Sequence, residues 1–553
     1  MIRKFFSILF PIAVLAAGCS QLEEPAPGAP ETPAGSPLMT KSVNSAEAAQ
    51  AGTLLLYLDE EVALKLAEGE GTPEWDQACE ELGVEYVEKL FPRTDDELSR
   101  KYGLHRWFMV SFPENQEVVE VAESMAKLNS VTGIQFNTTY ERKFGSDGPI
   151  AWKPFEGRGY GEFNLPFNDP MLVDQWHYIN NKDMSVALTS RTGADINVKN
   201  AWGLTAGDPR IIVAVCDEGV KYTHPDLADN MWVNKGEVPG NGIDDDNNGY
   251  IDDIYGANTT ATGKPAGNPM DDHGHGTHVA GVIAGVNNNI GVVGVAYGAK
   301  IMSIKAGMSS GYFNQSDIAE AILYAHANGA DVINMSFGGA ASSIAVQDAL
   351  ATAYTRCVLV ASAGNSGMPN EPADYYPIPL PNYPAALTYV LGVMSVNEAG
   401  VESAFTNWDV TAFNGVEYEL YAPGESIMST LPDDRYGYLS GTSMACPNLA
   451  GVVILLRQYV VENFPNIAND NCKVNDMVNC LMMSTADIAL STNGLPYFVR
   501  KQGAGLANLM NSIHTPAYIT AYDRNGNAID KAKLELGDDP QKTGVYEMSF
   551  AIN

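Results

Sequence analysis

Val215-Cys216-Asp217-Glu218-Gly219, His273-Gly274-His275-Gly276-Thr277-His278-Val279-Ala280-Gly281 and Gly441-Thr442-Ser443-Met444-Ala445 are the stretches that decide this chain. Asp217 closes the apolar run Ile211–Val215, where a buried parallel strand would carry a carboxylate at its tip. His275 opens a helix of small apolar residues, and Ser443 opens a longer one running through Leu449, Val452 and Leu456. In chain order the three give Asp, His, Ser, one of the orders in which a hydrolytic triad occurs. A serine hydroxyl attacks only when a positioned imidazole takes its proton. The imidazole needs a carboxylate to fix its tautomer and stabilise its charged form. Each stretch alone has a plainer reading: Ser at a helix start caps it, and His or Asn beside Gly makes a turn. The order, the flanks and Asn365 lying between His275 and Ser443 argue for one site.

These segments resemble those of the subtilisin-like serine proteases, the subtilases of peptidase family S8, from about Asn168-Asp169-Pro170 to about Gly505. The resemblance implies a three-layer α/β/α domain with a mainly parallel sheet. It implies a serine endopeptidase working through an acyl-enzyme, with Ser443 as nucleophile, His275 as base and Asp217 as its orienter. It makes Asn365, in Ala361-Ser362-Ala363-Gly364-Asn365, an oxyanion donor beside the Ser443 backbone N–H. It lines the substrate groove with Ser336, Phe337 and Gly338 of Ile333–Gly339, and with Ser362 and Gly364. Two residues depart from the family pattern. Glu218 stands where a small hydroxyl residue is usual, and Asn448 where a His is usual. A second carboxylate beside Asp217 would repel its charge, but neighbours on a strand end face opposite ways, so a modest effect is expected. Two other functions fit the same residues. One is acyl transfer that joins or cyclises peptides, on which the stretch Met368–Pro381 bears; the other is a catalytically idle surface binding module.

Calcium is the expected cofactor, at one or two structural sites. Asp244–Asp252 matches the first nine positions of an EF-hand-type loop. Its oxygens fall at Asp244, Asp246, Asn248, the Tyr250 carbonyl and Asp252, with Gly249 at the sharp turn. Tyr255 replaces the closing Glu, and Asp253 is the substitute at hand. The family resemblance implies a second set: the side chains of Asp226 and Asn288 with the carbonyls of Val286, Ile290 and Val292.

The chain has 553 residues, is 45% hydrophobic and carries a net charge of −34, which excludes a nucleic-acid partner. The expected partners are protein or peptide substrates, the chain's own N-terminal domain as intramolecular inhibitor, and a membrane reached through an N-terminal lipid. Residues 1–19 read as a signal peptide: a basic start, the apolar stretch Phe5–Ala17, then Leu15-Ala16-Ala17-Gly18-Cys19, which resembles a bacterial lipobox. Cys19 is the expected lipidation site. The acidic patch Ser20–Glu24 resembles surface-export signals of some Gram-negative lipoproteins, so the expected location is the cell envelope, at the outer membrane or cell surface. No other segment reads as a transmembrane helix. Of the remaining cysteines, Cys216, Cys357 and Cys446 lie in apolar segments as packing residues, and Cys472 with Cys480 leaves a bridge open.

The expected division is a flexible tether over 20–52, a propeptide-like α+β domain over 53–143 and a connector with the processing site over 144–167. The catalytic domain follows over 168–515, then a β appendage, or the start of a sandwich, over 516–553. Within 53–143, strands are expected at Thr53–Leu58, Val84–Leu90, Arg106–Phe112 and Val131–Phe136, with a helix at Val118–Leu128.

Overall fold

A computed structural model describes residues 36–92, 97–142, 150–151, 168–180, 190–260, 267–367, 381–408, 418–522, 526, 528–529, 531–532 and 549–553. Among them, eight strands form the central sheet. Their spatial order is Gly505–Leu506, Leu420–Pro423, Val390–Val396, Val358–Ser362, Val332–Met335, Ile212–Asp217, Lys300–Lys305 and Gly256–Asn258. Neighbouring strands run parallel throughout. Side chains alternate between two cores. Val213 and Val215 pack with Val279 and Val282 of helix His275–Ala284 and with Leu449 and Val453 of helix Thr442–Asn463. Ala214 and Cys216 pack on the other face with Ile318 and Ile322 of helix Gln315–Ala327 and Val346 and Leu350 of helix Ile344–Tyr354. A strand covered on both faces has no polar side, which is why its sequence reads as a continuous apolar run. The expected three-layer α/β/α architecture is therefore present. Helix Thr442–Asn463 is long and apolar enough to cross a membrane by composition, yet most of it is buried in the domain core.

The N-terminal region forms an antiparallel sheet in the order Tyr86–Lys89, Trp107–Ser111, Ala49–Leu58 and Val131–Glu141. Leu54, Leu56, Phe108 and Val110 face helices Glu60–Ala67, Pro73–Glu81 and Val118–Met125. Leu55 and Trp107, on the opposite face, join the core of the parallel-sheet domain. The Gln135 amide oxygen accepts the Ile344 and Ala345 N–H groups at 2.9 and 3.2 Å, capping helix Ile344–Tyr354 from outside its own domain. Trp107 Nε1 donates to Asp348 Oδ2 of that helix at 3.0 Å.

Two expectations need correcting here. The part of the expected tether from residue 36 onward is folded: Ser36 caps helix Pro37–Lys41, Leu38 is buried, and Asn44 Nδ2 donates to the Phe136 carbonyl at 2.9 Å. The strand expected to stop at Phe136 continues to Glu141, because Tyr312–Asn314 of the other domain supplies a new antiparallel partner. The bridge left open between Cys472 and Cys480 is absent. Both sit on helix Asn471–Ser484, eight positions and thus about 12 Å apart along its axis, beyond disulfide reach.

The connector 144–167 lies outside the described residues except for Ile150–Ala151, which pairs with Arg435–Leu439. The stretch 368–380, Cys19 and the signal segment also lie outside them. In the C-terminal stretch, Ile519–Tyr522 pairs antiparallel with Ser549–Ile552. The buried Lys531 ammonium meets the Glu419 carboxylate at 2.9 Å, tying this stretch to the sheet domain. Residues 533–548 lie outside the described residues.

Candidate active site

Asp217 is the last residue of its strand, and His275 the first of its helix. His275 Nδ1 lies 2.8 Å from Asp217 Oδ1, with both side chains fully buried. The helix meets the strand tip this closely because position 276 is Gly: an added Cβ would lie 2.0 Å from the Gly219 carbonyl oxygen. The Glu218 N–H donates to the same Asp217 oxygen at 2.9 Å and so holds the orienting carboxylate from a second side. His278, three residues further on, has a different task. His278 Nε2 faces the Ile427 carbonyl at 2.9 Å, and burial pushes its pKa down to about 3, so it stays neutral.

Ser443 is the second residue of helix Thr442–Asn463, where the positive end of the helix dipole lies. Pro447, inside this helix, has no N–H to give the carbonyl four residues back, which is that of Ser443. The Ser336 hydroxyl takes that place, donating to the Ser443 carbonyl at 3.0 Å. Ser443 Oγ in turn donates to the Ser336 carbonyl at 3.0 Å. Asn365 follows strand Val358–Ser362. Its Oδ1 accepts the Thr442 N–H at 2.8 Å and the Thr442 hydroxyl at 2.9 Å. A backbone N–H can only donate, so this bond fixes which end of the amide is oxygen. The other end of the amide is therefore the NH2 group. Asn448 donates to the Pro423 and Met444 carbonyls, a structural task.

The residues expected to line the groove lie side by side at the ends of strands Val332–Met335 and Val358–Ser362, which make one wall beside Ser443. The Phe337 ring is buried and stacks on Phe313 at 4.5 Å. The Ser362 hydroxyl faces the Phe337 carbonyl at 3.5 Å, and the Gly364 N–H donates to the Thr442 hydroxyl at 3.1 Å. Between this wall and Gly311–Asn314 lies the end of the N-terminal domain. The Glu141 N–H donates to the Gly338 carbonyl at 3.0 Å, and the Arg142 N–H to the Gly311 carbonyl at 2.9 Å. Tyr140 is buried with its ring 6.5 Å from that of Phe337. The Glu218 carboxylate, fully buried, pairs with the Arg142 guanidinium and lies 3.2 Å from the His273 ring.

Residues 208–505 match the Subtilase family of peptidases. The chain belongs to the subtilase family. It is 36% identical over 260 residues to a thermophilic serine proteinase of a Bacillus strain, covering 46% of this chain and 54% of the relative. It is 33% identical over 304 residues to the major intracellular serine protease of Bacillus subtilis, covering 55% of this chain and 85% of that protein. An extracellular protease of Xanthomonas campestris is 33% identical over 316 residues, covering 52% of this chain and 49% of its own. The chain thus spans about half the length of some curated relatives and most of another.

The subtilase has two places where oxygen ligands gather, and each differs from the expectation. In the EF-hand-like loop, Asp244 accepts the Asn248 and Gly249 N–H groups, and Asp252 accepts those of Gly240, Asn241 and Gly242. Those carboxylates brace their own loop, and Asp244 shares the Asn248 N–H with Asp246. The Asn248 amide oxygen accepts the Tyr250 N–H at 2.9 Å, and its NH2 group donates to Asp246 at 3.1 Å and to Asp253 at 2.7 Å. The oxygens that converge belong to Glu237, Asp246 and Asp253, all within 4.8 Å of one another. At the second place, the Asp226 carboxylate accepts the Val292 N–H at 2.8 Å, and Asp169 accepts those of Asn288 and Asn289 at 3.0 and 3.1 Å. Asp226 Oδ1 and Asp169 Oδ2 are buried and accept no hydrogen bond. Burial pushes the Asp226 carboxyl up to about 7 and raises that of Asp169. Two desolvated carboxylates beside a carbonyl-rich loop fit a hard divalent cation. Neither Asp169 nor Glu237 was expected as a ligand; Asp169 lies 57 positions before Asp226 and belongs to no local motif.

Proposed function

We propose that this subtilase is a secreted or cell-surface serine endopeptidase with Asp217, His275 and Ser443 as its triad. The observation that carries the reading is the buried 2.8 Å bond between Asp217 and His275 Nδ1. It leaves Nε2 as the nitrogen that takes the Ser443 proton. Ser443 Oγ adds to the scissile carbonyl, and the proton passes to His275. The Asn365 NH2 group and the Ser443 N–H bind the resulting oxyanion. His275 then gives the proton to the leaving amine, the C–N bond breaks, and the acyl-enzyme remains. Water, deprotonated by His275, hydrolyses it and restores the serine. A fluorophosphonate probe should label Ser443, and Ser443→Ala should abolish both labelling and peptide hydrolysis. Labelling lost with hydrolysis retained would overturn the assignment.

The N-terminal domain acts as an intramolecular inhibitor whose last strand fills the groove. The bonds from Glu141 to Gly338 and from Arg142 to Gly311 support this, since a peptide substrate would make the same kind of edge pairing. Cutting within 138–167 would end the covalent link. With lipid on Cys19, that cut also frees the catalytic domain from its anchor. Mature cells in which the catalytic domain stays covalently joined to the lipid would contradict this release.

Calcium is the ion suited to both oxygen clusters. Asp169, Asp226 and the Asn288 loop would hold one ion, and Glu237, Asp246 and Asp253 another. A bound ion stabilises only the native fold and screens these carboxylates from one another.

A further inference from the structure

We propose that Glu218 makes a subsite that selects an arginine at the second residue before the scissile bond. This rests on the protease reading above and names part of its substrate class.

The register comes from the strand in the groove. Glu141 pairs antiparallel with Gly338. In an antiparallel ladder, a step of two along one chain is a step of two back along the other. A peptide in this register therefore brings the residue two beyond the Glu141 position opposite Ser336, whose carbonyl touches Ser443 Oγ. That residue donates the scissile carbonyl, and the Arg142 position is the one before it. In this chain the bond so defined joins Lys143 to Phe144.

At the Arg142 position the surroundings are built for a cation. The Glu218 side chain is fully buried, and that of Arg142 is 8% exposed. The guanidinium also lies along the His273 ring, 3.1 and 3.3 Å from its two nitrogens. Asp272, next to His273 in the chain, is already matched, because it pairs with Lys305 at 2.7 Å. Lys305 also donates to the Glu218 carbonyl at 2.9 Å, which leaves the Glu218 carboxylate to the groove. Opposite, Gly311 keeps the space open: an added Cβ would come 3.1 Å from Arg142 Nη2. An uncharged side chain here would leave the buried Glu218 carboxylate beside Asp217 with only the His273 ring, at 3.2 Å, to match its charge, which is costly in a desolvated site. Arginine suits it better than lysine because its planar fork reaches a carboxylate and lies flat on a ring at once.

The test uses the self-processed wild-type chain and two quenched peptides, Tyr-Glu-Arg-Lys-Phe-Gly and Tyr-Glu-Ala-Lys-Phe-Gly. The expected result is cleavage after Lys, with kcat/KM at least about 30-fold higher for the arginine peptide. In Glu218→Gln that ratio should fall below about 3-fold, a change in selectivity that general damage would not produce. Cleavage profiling of a mixed peptide library by the wild type, which needs no variant, should show arginine enriched at the same position. Equal cleavage of both peptides, or no enrichment, overturns the subsite while leaving the protease reading intact. Fluorophosphonate labelling of Ser443 without cleavage of the arginine peptide overturns it as well. Absence of both labelling and cleavage removes the protease reading, and the subsite with it.

Discussion

Ser336 and Ser443 exchange hydrogen bonds, each hydroxyl donating to the other's backbone carbonyl at 3.0 Å. One bond repairs the gap that Pro447 leaves in helix Thr442–Asn463, and the other holds the Ser443 hydroxyl against the Ser336 carbonyl. Ser336→Ala should leave a buried carbonyl unsatisfied, at a cost of about 1–3 kcal/mol. The expected outcome is a lower melting temperature and a lower kcat, read by calorimetry and peptide hydrolysis.

Asn365 is fixed by Thr442 so that its NH2 group faces outward from that contact. Asn365→Ala should lower kcat by about 100- to 1,000-fold with little change in KM, the size of effect known for an oxyanion donor in a related protease. Thr442→Val should lower kcat less, because it loosens the amide without removing it. A KM effect of equal size to the kcat effect would count against the role.

Asp348 meets Trp107 across the boundary between the two domains, and burial pushes its carboxyl up to about 7. Once the N-terminal domain leaves, that carboxyl should return to about 4. The docked state therefore holds a proton that the separated state releases. Docking should be strongest below about pH 4 and weaken as pH rises to about 7. After processing, the fraction of N-terminal domain that co-elutes with the catalytic domain should fall across that window. Asp348→Asn should flatten the dependence.

Calcium removal should lower the melting temperature, since a ligand present at about 100 times its dissociation constant adds about 2.7 kcal/mol. Asp226→Asn and Asp169→Asn should each weaken the response to added calcium. A melting temperature unmoved by chelator would reject both ion sites.

The sheet and the three stretches that carry Asp217, His275 and Ser443 were legible because each of these residues sits inside its own local pattern: a strand end, a helix start, a second helix start. Glu218 was visible as a departure, but its task was not, because Arg142 reaches it from another domain. Spacing alone pointed to Asp244 and Asp252 as metal ligands. The fold gathers Glu237, from across the loop, with Asp246 and Asp253. Asp169 escaped for the same reason, being joined to Asp226 only by chain folding. The length of the last N-terminal strand was hidden because its final partner, Tyr312–Asn314, lies far along the chain.

The most direct test is intact-mass spectrometry of the soluble chain lacking residues 1–19, beside its Ser443→Ala variant. The account predicts that only the wild type splits, giving a C-terminal product that begins at Phe144. A wild-type chain that stays whole and takes no fluorophosphonate at Ser443 would contradict it.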